Sequence, residues 1–449
     1  MNIQRNLQVN YKIYKEFEDI LNSYVSDYYL ENHWEKLPKS WQNHFSDIEM
    51  KPLSQFLNFS IPTRSLEDKI YPLALLCLRE LVIRNSIPRS EMKLAPLFAF
   101  KTDDDFMNFF WKNVKLKKRH EITRLAQKCY ESAEKTNCFH IVDVGSGLGH
   151  LSRMMAFGYG LKVCTFEADE SLSKQAQELD RVFKNKLDKR NILYQGKFET
   201  VHLNHSITRD FVKEKFLQEV IEAFGGSSDL RFGIVGLHPC GDLGSLLLKL
   251  YSDCSNITFI NMASCCYMRM TLEPAPFSSF PMSKYCSDEN YMLSYLSCEI
   301  ACHSIETYAE KLSNSEEYNK LKIHSYRALL EKILVSIDPK LGHSMVPGVK
   351  YKEDLTFSRY IEKVMQKMNI NPPQHMVSLC ESLMNKTWKK VIVFYSLRLF
   401  LAPLVETIIL LDRLLFLKEQ GSDCAILPLF DCTVSPRNQV ITGSKINAN

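Results

Sequence analysis

Apolar residues change their period along the chain, and the changes divide it into segments. Up to about residue 112, "YKEFEDILNSYVSDYYLENHW" and "YPLALLCLRELVIRNS" repeat apolar positions at helical spacing, broken at Pro38, Pro52 and Pro62. This predicts an N-terminal helical region over 1–112. From 113 to 275 the pattern alternates. Short apolar runs at Cys138–Val144, Leu161–Phe166, Asn191–Gln195, Phe232–Leu237 and Ile257–Ala263 are separated by amphipathic helical stretches. Such alternation predicts an α/β fold, a mostly parallel sheet covered on both faces.

Residues 276–388 read as a helical and loop insertion. "EPAPFSSFPMS" and "DPKLGHSMVPGVKYKEDL" are loop-like, and "EYNKLKIHSYRALLEKILVSI" is helical. Residues 389–449 supply an apolar helical segment. Two last strands follow in "CAILPLFDCTVSPRNQVITG", joined by a turn around Ser435, Pro436, Arg437 and Asn438, and these return to the sheet.

The apolar stretch Val391–Leu417 is long enough to suggest a membrane span. It carries Arg398, Glu406 and Asp412, and Pro403 lies near its middle. Charges at bilayer depth are costly, so the stretch reads as one buried helix or two meeting at Pro403.

Composition adds limits. The chain has 449 residues, 45% hydrophobic and 24% charged, an ordinary globular balance for which disorder is not the default. A net charge of +4 does not mark the whole chain as a nucleic-acid binder. The first twenty residues are mixed in charge with no apolar run, so no secretory signal is expected. Fourteen cysteines scattered through apolar runs then read as reduced thiols of a cytoplasmic or nuclear protein.

The chemistry gathers after the first predicted strand, in "HIVDVGSGLGHLS". Gly145, Gly147 and Gly149 follow Asp143 at a strand-to-helix turn, where glycine admits positive φ and close approach of a ligand to backbone. A dinucleotide site wants G-x-G-x-x-G, but the last position is His150. The acid-x-G-x-G-x-G form is that of class I methyltransferases binding S-adenosylmethionine. Asp143 would then stand near the cationic end of the cofactor. Glu167, ending the second strand, would hold the ribose hydroxyls, as an acid about 20 residues on does in dinucleotide sites. Phe198, after the third strand, would border adenine.

After the fourth strand comes "LHPCGDLG". His238 is a candidate general base there and Asp242 its tuning partner; alternatively both satisfy loop backbone and cap the next helix. The loop is not D/N-P-P-Y/F, which counts against methylation of a base amino group. The fifth strand ends in Ser264-Cys265-Cys266-Tyr267-Met268, read as a close-packed wall with Tyr267 facing substrate. No C-x2-C pair accompanies His238, Cys240, Cys286, Cys298, Cys302 and His303, so no metal is expected. "KNVKLKKRHEITR" holds Lys112, Lys115, Lys117, Lys118, Arg119 and Arg124, either a phosphate-binding patch for RNA or a solvated helix start.

Together, "KKRHE", "VDVGSGLGHLSRMMAFGYGLKV", "GLHPCGDLGSLLL", "CCYM", "FPMS", "EIACHS", "LAPLVETIILLDRLLFLKEQG" and "SPRN" resemble the methyltransferase-like protein 25 family, and within it the B-type branch. The likeness runs from about residue 115 to the C-terminus. "LHPCGD" and "CC" are also similar to a tRNA 2′-O-methyltransferase family. The resemblance implies a class I methyltransferase, Rossmann-like doubly wound sheet, S-adenosylmethionine as cofactor and RNA as a plausible substrate. The B-type name points to rRNA adenine dimethylation, whose usual N-P-P-Y-type loop is missing here. A protein substrate and a catalytically inactive binding module stay open beside RNA.

Overall fold

A computed structural model describes residues 2–66, 70–93, 104–112, 114–191, 199–209, 213–273, 277–349 and 355–445. At its centre are seven strands: β1 His140–Val144, β2 Lys162–Glu167, β3 Val201–Asn204, β4 Phe232–Leu237, β5 Ile257–Ala263, β6 Asp423–Pro428 and β7 Gln439–Ser444. Their order is β3-β2-β1-β4-β5-β7-β6. The first five are parallel, and β7 is antiparallel to both neighbours. This is the class I Rossmann-like methyltransferase architecture. β4 and β5 are buried at every residue, as central strands covered on both faces must be, and for that reason they read as unbroken apolar runs.

Each face of the sheet has its own core. On one, the Leu116–Thr136 helix packs Ile122, Leu125, Cys129 and Ala133 against Ile141, Val163 and Phe259. On the other, Leu247 and Tyr251 of the Asp242–Asp253 helix meet Val142, Ile234 and Ile260. The strand order reverses at β1, whose neighbours are β2 and β4. In open α/β sheets, ligands bind at the carboxyl ends of the strands beside that switch point.

The chain divides differently from the expected boundaries at 112, 275 and 388. One compact unit contains residues 1–11, 87–302 and 406–449; the other contains 12–86 and 303–405. The reason is partnership that local periodicity does not encode. In the first unit, Asn438 Nδ2 donates to Arg89 O (2.8 Å) and Gln439 Nε2 to Pro88 O (2.8 Å), tying the segment after Ile87 to the last strand. In the second, Ser54 Oγ donates to Ala309 O (2.7 Å), and Tyr29 Oη lies 2.9 Å from both Ser325 Oγ and Thr387 Oγ1. The early helices and the inserted ones complete one another.

Two further expectations shift in position. The third strand is Val201–Asn204, later than Asn191–Gln195, and 192–198 lie outside the described residues, Phe198 among them. The apolar stretch at 391–417 belongs to two helices, Gln374–Phe400 and Ala402–Glu419, that break at Leu401. Pro403 is the second residue of the later helix, where a missing N–H leaves no orphaned acceptor. Charges in the stretch are paired inside the protein: Arg398 Nε donates to Leu21 O (3.1 Å), and Asp412 accepts from Met282 N, Ser283 N and Ser283 Oγ at 2.7–2.9 Å. Among the described residues, no helix is long and apolar enough to cross a membrane.

Candidate functional site

The glycine loop leaves β1 at Val144. Gly145 N and Ser146 N both donate to Phe166 O on β2 (2.8 and 3.4 Å), so the loop folds across the carboxyl end of its neighbour. Gly147 (φ +57°) and Gly149 (φ +67°) occupy the left-handed region, which disfavours any side chain. Their surroundings differ. A Cβ on Gly149 would meet Ala176 Cβ at 3.3 Å and His202 Cε1 at 3.4 Å, whereas one on Gly147 would meet nothing within 4 Å. Gly149 permits close packing; Gly147 lines an open cradle.

Glu167 closes that cradle. Its Oε2 accepts the N–H of Gly147 (2.7 Å) and its Oε1 accepts the N–H of Asp169 (2.9 Å). A carboxylate has about four lone-pair positions, so Glu167 keeps capacity for two hydroxyl donors. Ser146 Oγ is buried and has no hydrogen-bond partner among the described residues. An open glycine, a half-used carboxylate and an orphaned hydroxyl fit an amino-acid and ribose-bearing ligand. Gly145, Gly147 and Glu167 would hold it.

Asp143 is bound within the protein. It is 1% exposed, and its Oδ2 accepts from Ser152 Oγ (2.5 Å). Burial raises its pKa to about 6 against that hydrogen bond. Its work is to tie β1 to the His150–Arg153 helix beyond the glycines. The helix is also held by Arg153, whose Nε donates to Asp180 Oδ1 (2.5 Å), while Asp180 Oδ2 meets His202 Nε2 (2.9 Å). His150, beside the loop, is kept neutral: burial first, then Arg153, lower its pKa to about 4.

Across the switch point, β4 ends in the second expected loop. His238 has φ +67°, unusual for a residue with a side chain. Its Nε2 lies 3.0 Å from Glu121 Oε1, and its Nδ1 is buried with no hydrogen-bond partner among the described residues. Glu121 is itself buried, on the inner face of the Leu116–Thr136 helix, and accepts from Ser435 Oγ (2.7 Å). Burial alone would raise its pKa, but the hydrogen bond and charge of His238, with Ser435 and Lys118, win and bring it to about 2.

The expected pairing of His238 with Asp242 is therefore replaced. Asp242 accepts from Ser279 Oγ (2.6 Å), Thr271 N (2.7 Å) and Thr271 Oγ1 (2.9 Å), and it also pairs with Arg209. Burial opposes ionisation, but these donors together lower its pKa to about 2. Asp242 ties the β4 loop to the chain after β5. Tyr267 is corrected too. It is 2% exposed, and its hydroxyl donates to Glu406 Oε1 (3.1 Å), which makes it a core side chain. Glu406 also binds Arg89 Nη1 (2.7 Å) and Arg437 Nη1 (3.2 Å), so "SPRN" is more than a turn: Ser435 serves Glu121 and Arg437 serves Glu406.

Beside His238 three thiols converge. Cys240 Sγ lies 3.1 Å from Cys265 Sγ and 3.4 Å from Cys266 Sγ, and the last two are 3.4 Å apart. The thiol hydrogen bond from Cys265 lowers the Cys240 pKa to about 6 against burial, while Cys265 is pushed far up.

The basic stretch is partly spent. Arg119 donates to Val114 O (2.7 Å) and Trp111 O (3.0 Å), and Lys117 and Lys118 stand 3.7 and 3.9 Å from the Glu121 carboxylate. Lys112 and Lys115 are exposed. Sequence reading missed Glu121. The signal was present: Glu121, Leu125, Cys129 and Ser132 share one helical face, and an acid on an apolar stripe needs a buried partner.

Residues 117–273 match the profile of a family described as a methyltransferase domain. The chain is 27% identical over 227 residues to the human protein named probable methyltransferase-like protein 25, covering 47% of this chain and 36% of that one. To the mouse protein of the same name it is 24% identical over 299 residues, covering 62% and 47%. The chain is thus similar to proteins named methyltransferase-like protein 25 and carries a methyltransferase domain. It spans less than half the length of these relatives. S-adenosylmethionine is the cofactor expected for a methyltransferase domain, and the glycine loop and Glu167 are where this chain would hold it. A solved structure of the plantazolicin methyltransferase BpumL in complex with SAH aligns over 59% of this chain and 84% of its own, at 10% identity and a TM-score of 0.20, too low to add to the fold.

Proposed function

We propose that the chain is an S-adenosylmethionine-dependent methyltransferase whose acceptor enters beside the β4 and β5 ends. The observation that supports this most is the pairing across the switch point. The open Gly147 cradle with Glu167 lies at the ends of β1 and β2, and His238, oriented by Glu121, lies at the end of β4. Methyl transfer from a sulfonium needs an acceptor held in line and, where the acceptor carries a proton, a base near it. The cofactor supplies the electrophilic methyl group. Gly145, Gly147 and Glu167 fix its position, and His238 takes the acceptor's proton, with Glu121 stabilising the imidazolium that results.

The acceptor class we take forward is RNA. Exposed Lys112, Lys115 and Lys117 at the start of the helix that carries Glu121 would meet phosphates. The missing N-P-P-Y-type loop argues against a base amino group as target. Calorimetric titration with S-adenosylmethionine tests the cofactor reading, wild type beside Gly147→Arg and Glu167→Ala. Binding by wild type that both substitutions abolish is expected. A folded wild type that binds none would sink the enzyme reading and leave a binding module. RNA affinity that does not fall with salt would sink the acceptor class and move a protein substrate forward.

A further inference from the structure

The triangle of Cys240, Cys265 and Cys266 is not required by methyl transfer. Its sulfurs lie 3.1, 3.4 and 3.4 Å apart, closer than the roughly 3.5–4.0 Å at which smaller nonbonded carbon atoms rest. None of the three is fully buried. Among the described residues, no other three cysteines come this close together. Two different strand ends bring them there: Cys240 follows β4, and the adjacent pair Cys265-Cys266 follows β5, which pairs with β4 through Leu237 and Ala263. The close approach is thus fixed by the sheet rather than by a flexible loop.

A disulfide would use two sulfurs and leave the third crowded against them. A nearly equilateral triangle instead suits one atom that binds all three. We propose that Cys240, Cys265 and Cys266 form a zinc site with an open fourth position, at the acceptor end of the strands. Bonds of about 2.3 Å at tetrahedral angles put sulfurs ~3.8 Å apart, so each edge opens by only about half an ångström. Thiolates select zinc over the hard cations, and three protein ligands with one position left free is the pattern of a zinc that meets a substrate or water rather than a closed structural one. Adjacent cysteines are unusual ligands for one metal. Here Cys266 immediately precedes the short Tyr267–Arg269 helix, and the sulfurs of both cysteines approach Cys240, at 3.1 and 3.4 Å.

The inference stands whether or not the chain transfers methyl groups, because its test needs no cofactor. Purified, reduced full-length protein is titrated with Zn²⁺ against a chromophoric chelator. In parallel, Co²⁺ replaces zinc in the wild type and the thiolate-to-cobalt absorption is recorded. About one equivalent is expected, with a tetrahedral, three-thiolate cobalt spectrum. Cys240→Ser and Cys265→Ser should weaken zinc binding a hundredfold or more, and Cys302→Ser should not. Where a variant does not fold, alkylation of the wild type read by peptide mass spectrometry decides: zinc should protect Cys240, Cys265 and Cys266 together. A folded, reduced wild type that binds no zinc overturns the proposal. So does binding that leaves the three cysteines as reactive as before, or a Cys240–Cys265 disulfide that forms equally with zinc present.

Discussion

Glu121 and His238 are 117 residues apart in the chain, and Glu121 Oε1 lies 3.0 Å from His238 Nε2. The carboxylate comes from the buried face of a helix and the imidazole from the end of a central strand. A second donor, Ser435 Oγ, fixes the same oxygen at 2.7 Å from the turn before β7. Three distant segments thus meet at one carboxylate, and they set which imidazole nitrogen is engaged, leaving Nδ1 with no hydrogen-bond partner among the described residues.

Glu121→Gln should test that arrangement through stability as well as activity. The folded pKa of Glu121, about 2, lies below its ordinary 4.5. The carboxylate therefore contributes stability that is fully present above about pH 4.5 and is lost as pH falls toward 2. The wild type should lose about 3 kcal/mol over that window from this group. Glu121→Gln should be less stable by about 2–3 kcal/mol at pH 7 and nearly flat across the acid window. Urea denaturation at pH 7 and pH 3 reads both. Equal acid sensitivity in the two proteins would show that Glu121 is not the group responsible. On any acceptor that carries a proton, turnover should fall about a hundredfold.

The glycines of the loop should separate by role. Gly147→Ala adds only left-handed strain, about 1–2 kcal/mol, because its Cβ meets nothing. Gly149→Ala adds the same strain and a tight contact with Ala176 and His202, so it should cost about 1 kcal/mol more. Affinity for S-adenosylmethionine should rank the other way, with Gly147→Ala the weaker binder. Thermal denaturation and calorimetry on both variants check the crossing, and a common ranking in both measurements would count against the cradle.

What was legible in the sequence follows from how local each signal is. β4 and β5 were read to the residue, because buried central strands are unbroken apolar runs with sharp ends. β3, at the sheet edge and partly exposed, carries no such run, and its place was missed. Glycine spacing and a strand-end acid are short-range features, so Gly147 and Glu167 could be paired before their 2.7 Å contact was seen. Glu121 with His238, Tyr267 with Glu406 and the cysteine triangle are all made by segments far apart in the chain. No spacing encodes them. Asp242 misled for the same reason: nearness in sequence to His238 suggested a pair, but its donors come from Thr271 and Ser279.

Tyr267→Phe distinguishes a core residue from a substrate contact. The hydroxyl is buried and donates to Glu406, which also holds Arg89 and Arg437. Removing it leaves one acceptor position of a buried carboxylate unfilled, a loss of about 1–2 kcal/mol. Because the ring faces the core, the KM for an acceptor should not change. A stability loss with unchanged KM is expected; a raised KM with full stability would return Tyr267 to the substrate side.

Asp143→Asn asks whether the acid of the glycine motif holds ligand or scaffold. Its folded pKa is raised from the ordinary 3.8 to about 6, with burial the main cause. For an acid shifted upward, the folded state binds the proton more tightly. Ionisation thus costs stability, progressively as pH rises from about 4 to 6, and the full cost, about 3 kcal/mol, stands above that. Asparagine keeps the shape and can still accept from Ser152, while its amide N–H groups need acceptors of their own. Asp143→Asn should therefore gain about 1–2 kcal/mol at pH 8 and lose that advantage by pH 5. Its affinity for S-adenosylmethionine should fall far less than that of Glu167→Ala, since Glu167 binds the Gly147 N–H while Asp143 is engaged by Ser152. Chemical denaturation at the two pH values and calorimetry with the cofactor decide the matter. A loss of binding as deep as that of Glu167→Ala would place the Asp143 carboxylate against the cofactor after all.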